Sequence, residues 1–71
     1  MKYTVVIEKT DSGYGAFVPD LPGCVAVAES RVEVERLIKE AIGFHLEGLK
    51  AEGETVPPPC CEVVQVDVEA A

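Results

Sequence analysis

The sequence predicts an α+β domain of element order β-β-β-α-β, with a sheet in the order 3-2-1-4 and one helix packed on a single face. Three observations carry that expectation. Apolar residues alternate in short segments near both ends, at Tyr3, Val5 and Ile7 and again at Val64, Val66 and Val68. Ser30, followed three residues on by Glu33, opens a long run of apolar residues at helical spacing. Turns bearing glycine or proline separate these segments at short intervals.

Lys2 to Lys9 reads as the first strand, with Tyr3, Val5 and Ile7 on one face and Thr4, Val6 and Glu8 on the other. Thr10-Asp11-Ser12-Gly13 connects it to a second strand, Tyr14 to Val18, with Gly13 able to take the positive φ of such hairpins. Pro19 to Gly23 then interrupts the sheet, because proline cannot donate to a ladder. Leu21-Pro22-Gly23-Cys24 fits a type II turn. Asp20 is expected to accept from the N–H of Gly23 or Cys24, and Leu21 to project from a rigid loop. Cys24 to Ala28 makes a third strand, parallel to the first.

The helix follows from its cap. Val34, Leu37, Ile38, Ala41, Ile42, His45 and Leu49 share one face, and Phe44 and Leu46 flank it. Glu29, Glu33 and Glu35 crowd the end where the macrodipole favours negative charge. Glu35 and Lys39 are spaced for an ion pair, and Gly53 supplies the stop. Pro57-Pro58-Pro59 is a stiff lead into a fourth strand, Glu62 to Val68, reached by a right-handed crossover. One helix covers one face. The other, with Thr4, Val6 and parts of the second and third strands, is the expected association surface together with the open sheet edges.

Seventy-one residues make a single domain, 1–71, and a chain this short buries only about 60% of the surface it exposes when unfolded. Such domains are commonly supported by disulfides, a metal or a partner. The three cysteines, Cys24, Cys60 and Cys61, are an odd number with two adjacent, a poor disulfide framework. With His45 they offer ligand chemistry without the paired C-x-x-C spacing of a zinc site, so no metal is expected. That leaves association, including a homo-oligomer. No signal peptide and no membrane span is recognisable, so a cytoplasmic protein is expected. Thirteen acidic residues against six basic ones give a formal charge of −7. This opposes direct nucleic-acid binding, which Lys and Arg drive, and suits equally a basic protein partner or the plain solubility of a small protein.

Residues for catalysis are sparse. Two-metal phosphoryl chemistry needs carboxylates converging from neighbouring strand ends. Glu8 is the lone acid of the first strand, Asp11 and Asp20 sit in turns, and Asp67 has no carboxylate opposite it. His45, the sole histidine, falls in the helix's apolar stripe and reads as a core residue. Cys60-Cys61 lacks the motif that activates a redox thiol, and no phosphate-binding glycine loop is present. No catalytic residue and no cofactor is expected, and the chain reads as a binding protein rather than an enzyme.

The Asp11-x-Gly13-Tyr14 turn, the run Val18-Pro19-Asp20-Leu21-Pro22-Gly23-Cys24, the capped helix with Ala41-Ile42, and Val56-Pro57-x-Pro59 together resemble the HicB family of bacterial antitoxins. The resemblance implies a truncated RNase H-like fold and binding to HicA, a small basic toxin that cleaves mRNA with a histidine. Two departures matter. Many members carry a C-terminal DNA-binding module, whereas three residues follow the last expected strand here, so no such domain is expected. The family's Gly-Asp/Glu-Thr before the helix is Ala28-Glu29-Ser30 here, and its Glu-Ala is Glu33-Val34; serine still caps. The expected partner contact is the Asp20-Leu21-Pro22 loop, an apolar anchor, with Glu29 and Glu33 as its negative rim; the equal alternative is a purely structural loop, since every residue in it has a structural reason to be there. The alternative is a solitary HicB-like domain without a toxin, acting as an oligomeric scaffold or a small-ligand binder.

Overall fold

A hairpin at Asp11-Ser12 starts the fold in the computed structural model, which describes residues 1–70. Strand β1, Val6–Thr10, pairs antiparallel with β2, Gly13–Phe17, and β2 pairs antiparallel with β3, Val25–Ala28. The order β1-β2-β3 puts β2 in the centre and β1 parallel to β3. The first strand starts four residues later than its apolar pattern suggests. Val6 faces Phe17, the last ladder residue of β2, so Tyr3 to Val5 have no strand to pair with. Tyr3 and Val5 pack instead against the core.

The segment between β2 and β3 folds inward as two successive turns. Leu21 N–H donates to the Val18 carbonyl at 3.0 Å, and Cys24 N–H to the Leu21 carbonyl at 3.0 Å. Gly23 has φ +86°, as the expected type II turn requires. Turns of this pitch bring every third residue to the same side, so Val18, Leu21 and Cys24 all enter the core. Leu21 is 0% exposed, which overturns the expectation that it projects from the loop.

Helix α1 spans Arg31–Ala51 and is capped at both ends. Ser30 Oγ accepts from the Glu33 N–H at 3.1 Å, the serine half of the expected box. At the other end Gly53 takes φ +73°. The Glu54 N–H reaches back to the Leu49 carbonyl at 2.8 Å and Gly53 N–H to that of Lys50 at 3.1 Å, a Schellman closure. Glu35 pairs with Arg31 at 2.9 Å rather than with Lys39, and Arg36 pairs with Glu40 at 2.9 Å.

Val34 and Ile38 are buried against Ala16, Val18, Leu21 and Cys24. Twenty-one helical residues reach about 31 Å, roughly twice the length of a five-residue strand. The last turns of α1 therefore overhang the sheet. Phe44, expected to widen the apolar stripe, is 76% exposed there, and His45 is half-buried.

The fourth strand does not form within the single chain. Residues 62–68 are unpaired and exposed throughout, and the place beside β1 is open. The radius of gyration, 14.3 Å, exceeds the ~11 Å of a compact chain of this length, and the molecule measures 51 × 27 × 17 Å. Among the described residues no helix is long and apolar enough to cross a membrane.

Candidate protein-docking face

Strand register decides which side chains share a face. Ile7, Ala16 and Ala26 lie in one cross-strand row, and Lys9, Tyr14 and Ala28 in another on the same side, beneath α1. The alternate rows, Val6–Phe17–Val25 and Glu8–Gly15–Val27, face away from the helix. The distribution of bulk is inverted from the usual one. Small alanines of β2 and β3 meet the helix, while the larger Phe17, Val25 and Val27 face outward, with Val25 62% and Val27 77% exposed. Valines and an aromatic on a solvent face form the kind of apolar patch that marks a protein contact.

Acidic groups border this patch at one end. Glu8 shares the outer face. Glu29 directly follows β3, beside the hairpin, where the backbone of Ala28 and Glu29 lies against Gly13. Glu33 is exposed in the first turn of α1.

The expected contact residues are not brought together. Asp20, Leu21 and Pro22 precede β3 and Glu29 follows it, so about 13 Å of strand separates the two groups. Leu21 is consumed by the core and cannot anchor a partner; Pro22 is exposed at the turn. Asp20 has a task within the chain. Its Oδ2 accepts from the N–H groups of Cys60 and Cys61, both at 3.0 Å, and its Oδ1 accepts from the Cys60 thiol at 3.3 Å. These replace the expected bonds to Gly23 or Cys24. The Cys61 amide above all holds the Asp20 carboxyl below its ordinary range, with lesser help from the Cys60 thiol and amide against some desolvation. In return, the Asp20 carboxylate pushes the Cys60 thiol up. Burial does the same to Cys24.

Phe17, Val25 and Val27 were not singled out by sequence reasoning. A signal existed: if Ala16 and Val18 point inward, period-two alternation forces Phe17 outward. All three cysteines are free thiols. No cluster of three or more His, Cys, Asp or Glu among the described residues is arranged to hold a metal ion.

On the helix side, a groove of about 370 Å³ runs between β1 and α1, floored by Val5, Ile7, Ile38 and Ile42. Arg31, Glu35 and Lys39 form its rim.

The comparisons with known proteins agree with this architecture. A 14.9 kDa protein from the rep-hol intergenic region of Haemophilus phage HP1 is 42% identical over 57 residues, 80% of this chain. The match spans only 43% of the phage protein, so this chain corresponds to less than half of it. A UPF0150 protein of Thermoplasma acidophilum is 42% identical over 67 residues, 93% of this chain and 97% of its own length. Among solved structures, a chain of the HicA3 and HicB3 toxin-antitoxin complex superposes with a TM-score of 0.71 at 32% identity, covering 83% of this chain and 70% of that one. The family model described as HicB_like antitoxin of bacterial toxin-antitoxin system matches residues 3–70, and the chain belongs to that family.

Proposed function

We propose that this chain is an antitoxin that binds and inhibits a small, basic, HicA-like mRNA-cleaving toxin, and that it does so without chemistry of its own. The observation that carries the reading is the inverted sheet: Phe17, Val25 and Val27 face solvent on a HicB-like domain. Apolar groups form the centre of the contact, and Glu8 and Glu29 give it a negative rim suited to a basic partner. Pro22 and Glu33 are peripheral contacts, whereas Asp20 acts indirectly by holding the chain at Cys60 and Cys61. In this reading the protein works in the cytoplasm, where its target's substrate is, and its acidic balance keeps it off nucleic acid. The sheet is read as the truncated RNase H-like one, with residues 62–68 able to add a fourth strand beside β1.

The test is to titrate the purified chain into the toxin encoded beside it, measuring affinity by calorimetry and protection of an RNA substrate. Tight binding with stoichiometric protection is expected. Phe17→Asp with Val25→Asp, exposed positions that leave the core intact, is expected to weaken binding by about tenfold or more. A wild-type chain that neither binds nor protects removes the function; a double variant of undiminished affinity removes the outer face as its site.

A further inference from the structure

Two unsatisfied features of this molecule match one another. The first is a vacancy under the helix. β1 pairs only with β2, so its other edge presents unpaired N–H and C=O groups. α1 packs mainly over β3 and β2 and touches β1 least. Beyond β1 this leaves the apolar groove of Val5, Ile7, Ile38 and Ile42, shaped for one more strand. The second is a segment with strand character and nowhere to use it. In residues 62–68 Val64, Val66 and Val68 alternate with Gln65 and Asp67, and these valines are 79%, 71% and 82% exposed. Seven extended residues span about 23 Å, ample for an edge the length of β1.

We propose that residues 62–68 are an exchange arm. In a two-fold symmetric dimer, each copy's arm lies along β1 of the other and its valines fill the groove between β1 and α1. The occupant is therefore a second copy of this chain. Three observations favour it. The start of the arm is pinned: Asp20 holds the Cys60 and Cys61 amides at 3.0 Å, and Thr4 Oγ1 donates to the Cys61 carbonyl at 3.3 Å. From that pin the following residues are exposed and unpaired, in a molecule 51 Å long. The groove's rim carries the Arg31–Glu35 ion pair and the cation Lys39, and Lys39 suits the acidic Glu62 and Asp67 that punctuate the arm. Reciprocal exchange also closes on itself: each copy supplies one arm and one groove, which satisfies both edges without leading to a filament. The groove opens on the helix side and the outer face of the sheet stays free, so the inference does not rest on toxin binding.

The experiment is sedimentation velocity on the isolated, reduced chain over roughly a hundredfold range of concentration, alone and as Val64→Asp with Val66→Asp. Both positions are exposed in the single chain, so the substitutions leave its core untouched, and circular dichroism checks this. A reversible dimer is expected for the wild type, weakened by at least about tenfold in the variant. A sample mixing isotope-labelled and unlabelled chains then assigns the pairing. Filtered nuclear Overhauser contacts from Val64 and Val66 methyls to Ile7 and Ile42 of a differently labelled chain are expected. A wild type that stays monomeric, a dimer indifferent to the substitutions, or contacts confined to one chain would each overturn the proposal. Loss of toxin binding with the exchange intact would leave it standing.

Discussion

Asp20 shows how much a single side chain can organise in so small a domain. It stands 40 residues from the segment it holds, and each carboxylate oxygen takes part: Oδ2 with two amides, Oδ1 with the Cys60 thiol. The folded carboxyl is depressed from its ordinary value of 3.8, so the clamp is fully present above that pH and is lost as pH falls through the depressed value. Amide exchange followed by NMR is expected to show the Cys60 and Cys61 N–H groups protected near neutrality and released in acid. Asp20→Ala is expected to release them at every pH and, by removing the carboxylate that raises the Cys60 thiol, to speed alkylation of Cys60 in a Cys61→Ser background. Unchanged exchange in Asp20→Ala would show that the clamp carries no weight. Sequence alone led to Asp20 as a turn residue but not to its partner, because bonds across 40 residues leave no trace in local spacing. Leu21 misled for a related reason. Its turn was legible, but only the turn before it, from Val18 to Leu21, aims the side chain inward.

Elements whose stability is written locally were read correctly, as were β2 and β3 to within a residue, whereas the extent of β1 and the pairing of residues 62–68 depend on a neighbour and were not. α1 is the clear case: Ser30 and Gly53 mark its ends in the sequence and make the capping bonds in the structure. Ser30→Ala should cost about 1 kcal/mol, because the Glu33 N–H loses its acceptor at the positive end of the helix. For a chain of this size that is a fall of roughly 4–8 °C in the thermal midpoint, followed by circular dichroism. Ser30→Thr keeps the hydroxyl and is expected to lose much less, and equal losses would argue against capping as the cause. The strands behave differently. β1 was predicted too long because its length is set by where β2 stops, at Phe17, a fact of pairing rather than of pattern. Residues 62–68 carry the alternation of a strand, yet a strand needs an edge to join, and no edge of the same chain receives it. The three-strand order and the helix over one face were legible; the outward bulk of Val25 and Val27 was not, since alternation fixes which residues share a face but not which face is covered.

At the scale of the whole molecule, charge and shape divide the work of recognition. A formal charge of −7 on 71 residues surrounds the protein with a negative field, which in the proposed function draws the basic partner from beyond contact distance. In the same proposal the apolar row Val6–Phe17–Val25 acts only once the surfaces meet. Salt separates the two contributions, because the screening length shrinks from about 18 Å at ~0.03 M to about 4 Å at ~0.5 M while burial of apolar groups is little affected. Stopped-flow mixing with the toxin is therefore expected to show an association rate falling by about tenfold or more over that range, with a dissociation rate that changes far less. Glu29→Lys with Glu33→Lys removes two negative and adds two positive charges at the helix entrance, and is expected to lower the association rate and flatten its salt dependence. Both residues are exposed and Glu33 caps through its backbone N–H rather than its carboxylate, so the fold should survive the exchange. An association rate indifferent to salt would mean that the acidic balance serves solubility alone. A dissociation rate that rises as steeply as association falls would place charge, not the apolar row, at the centre of the contact.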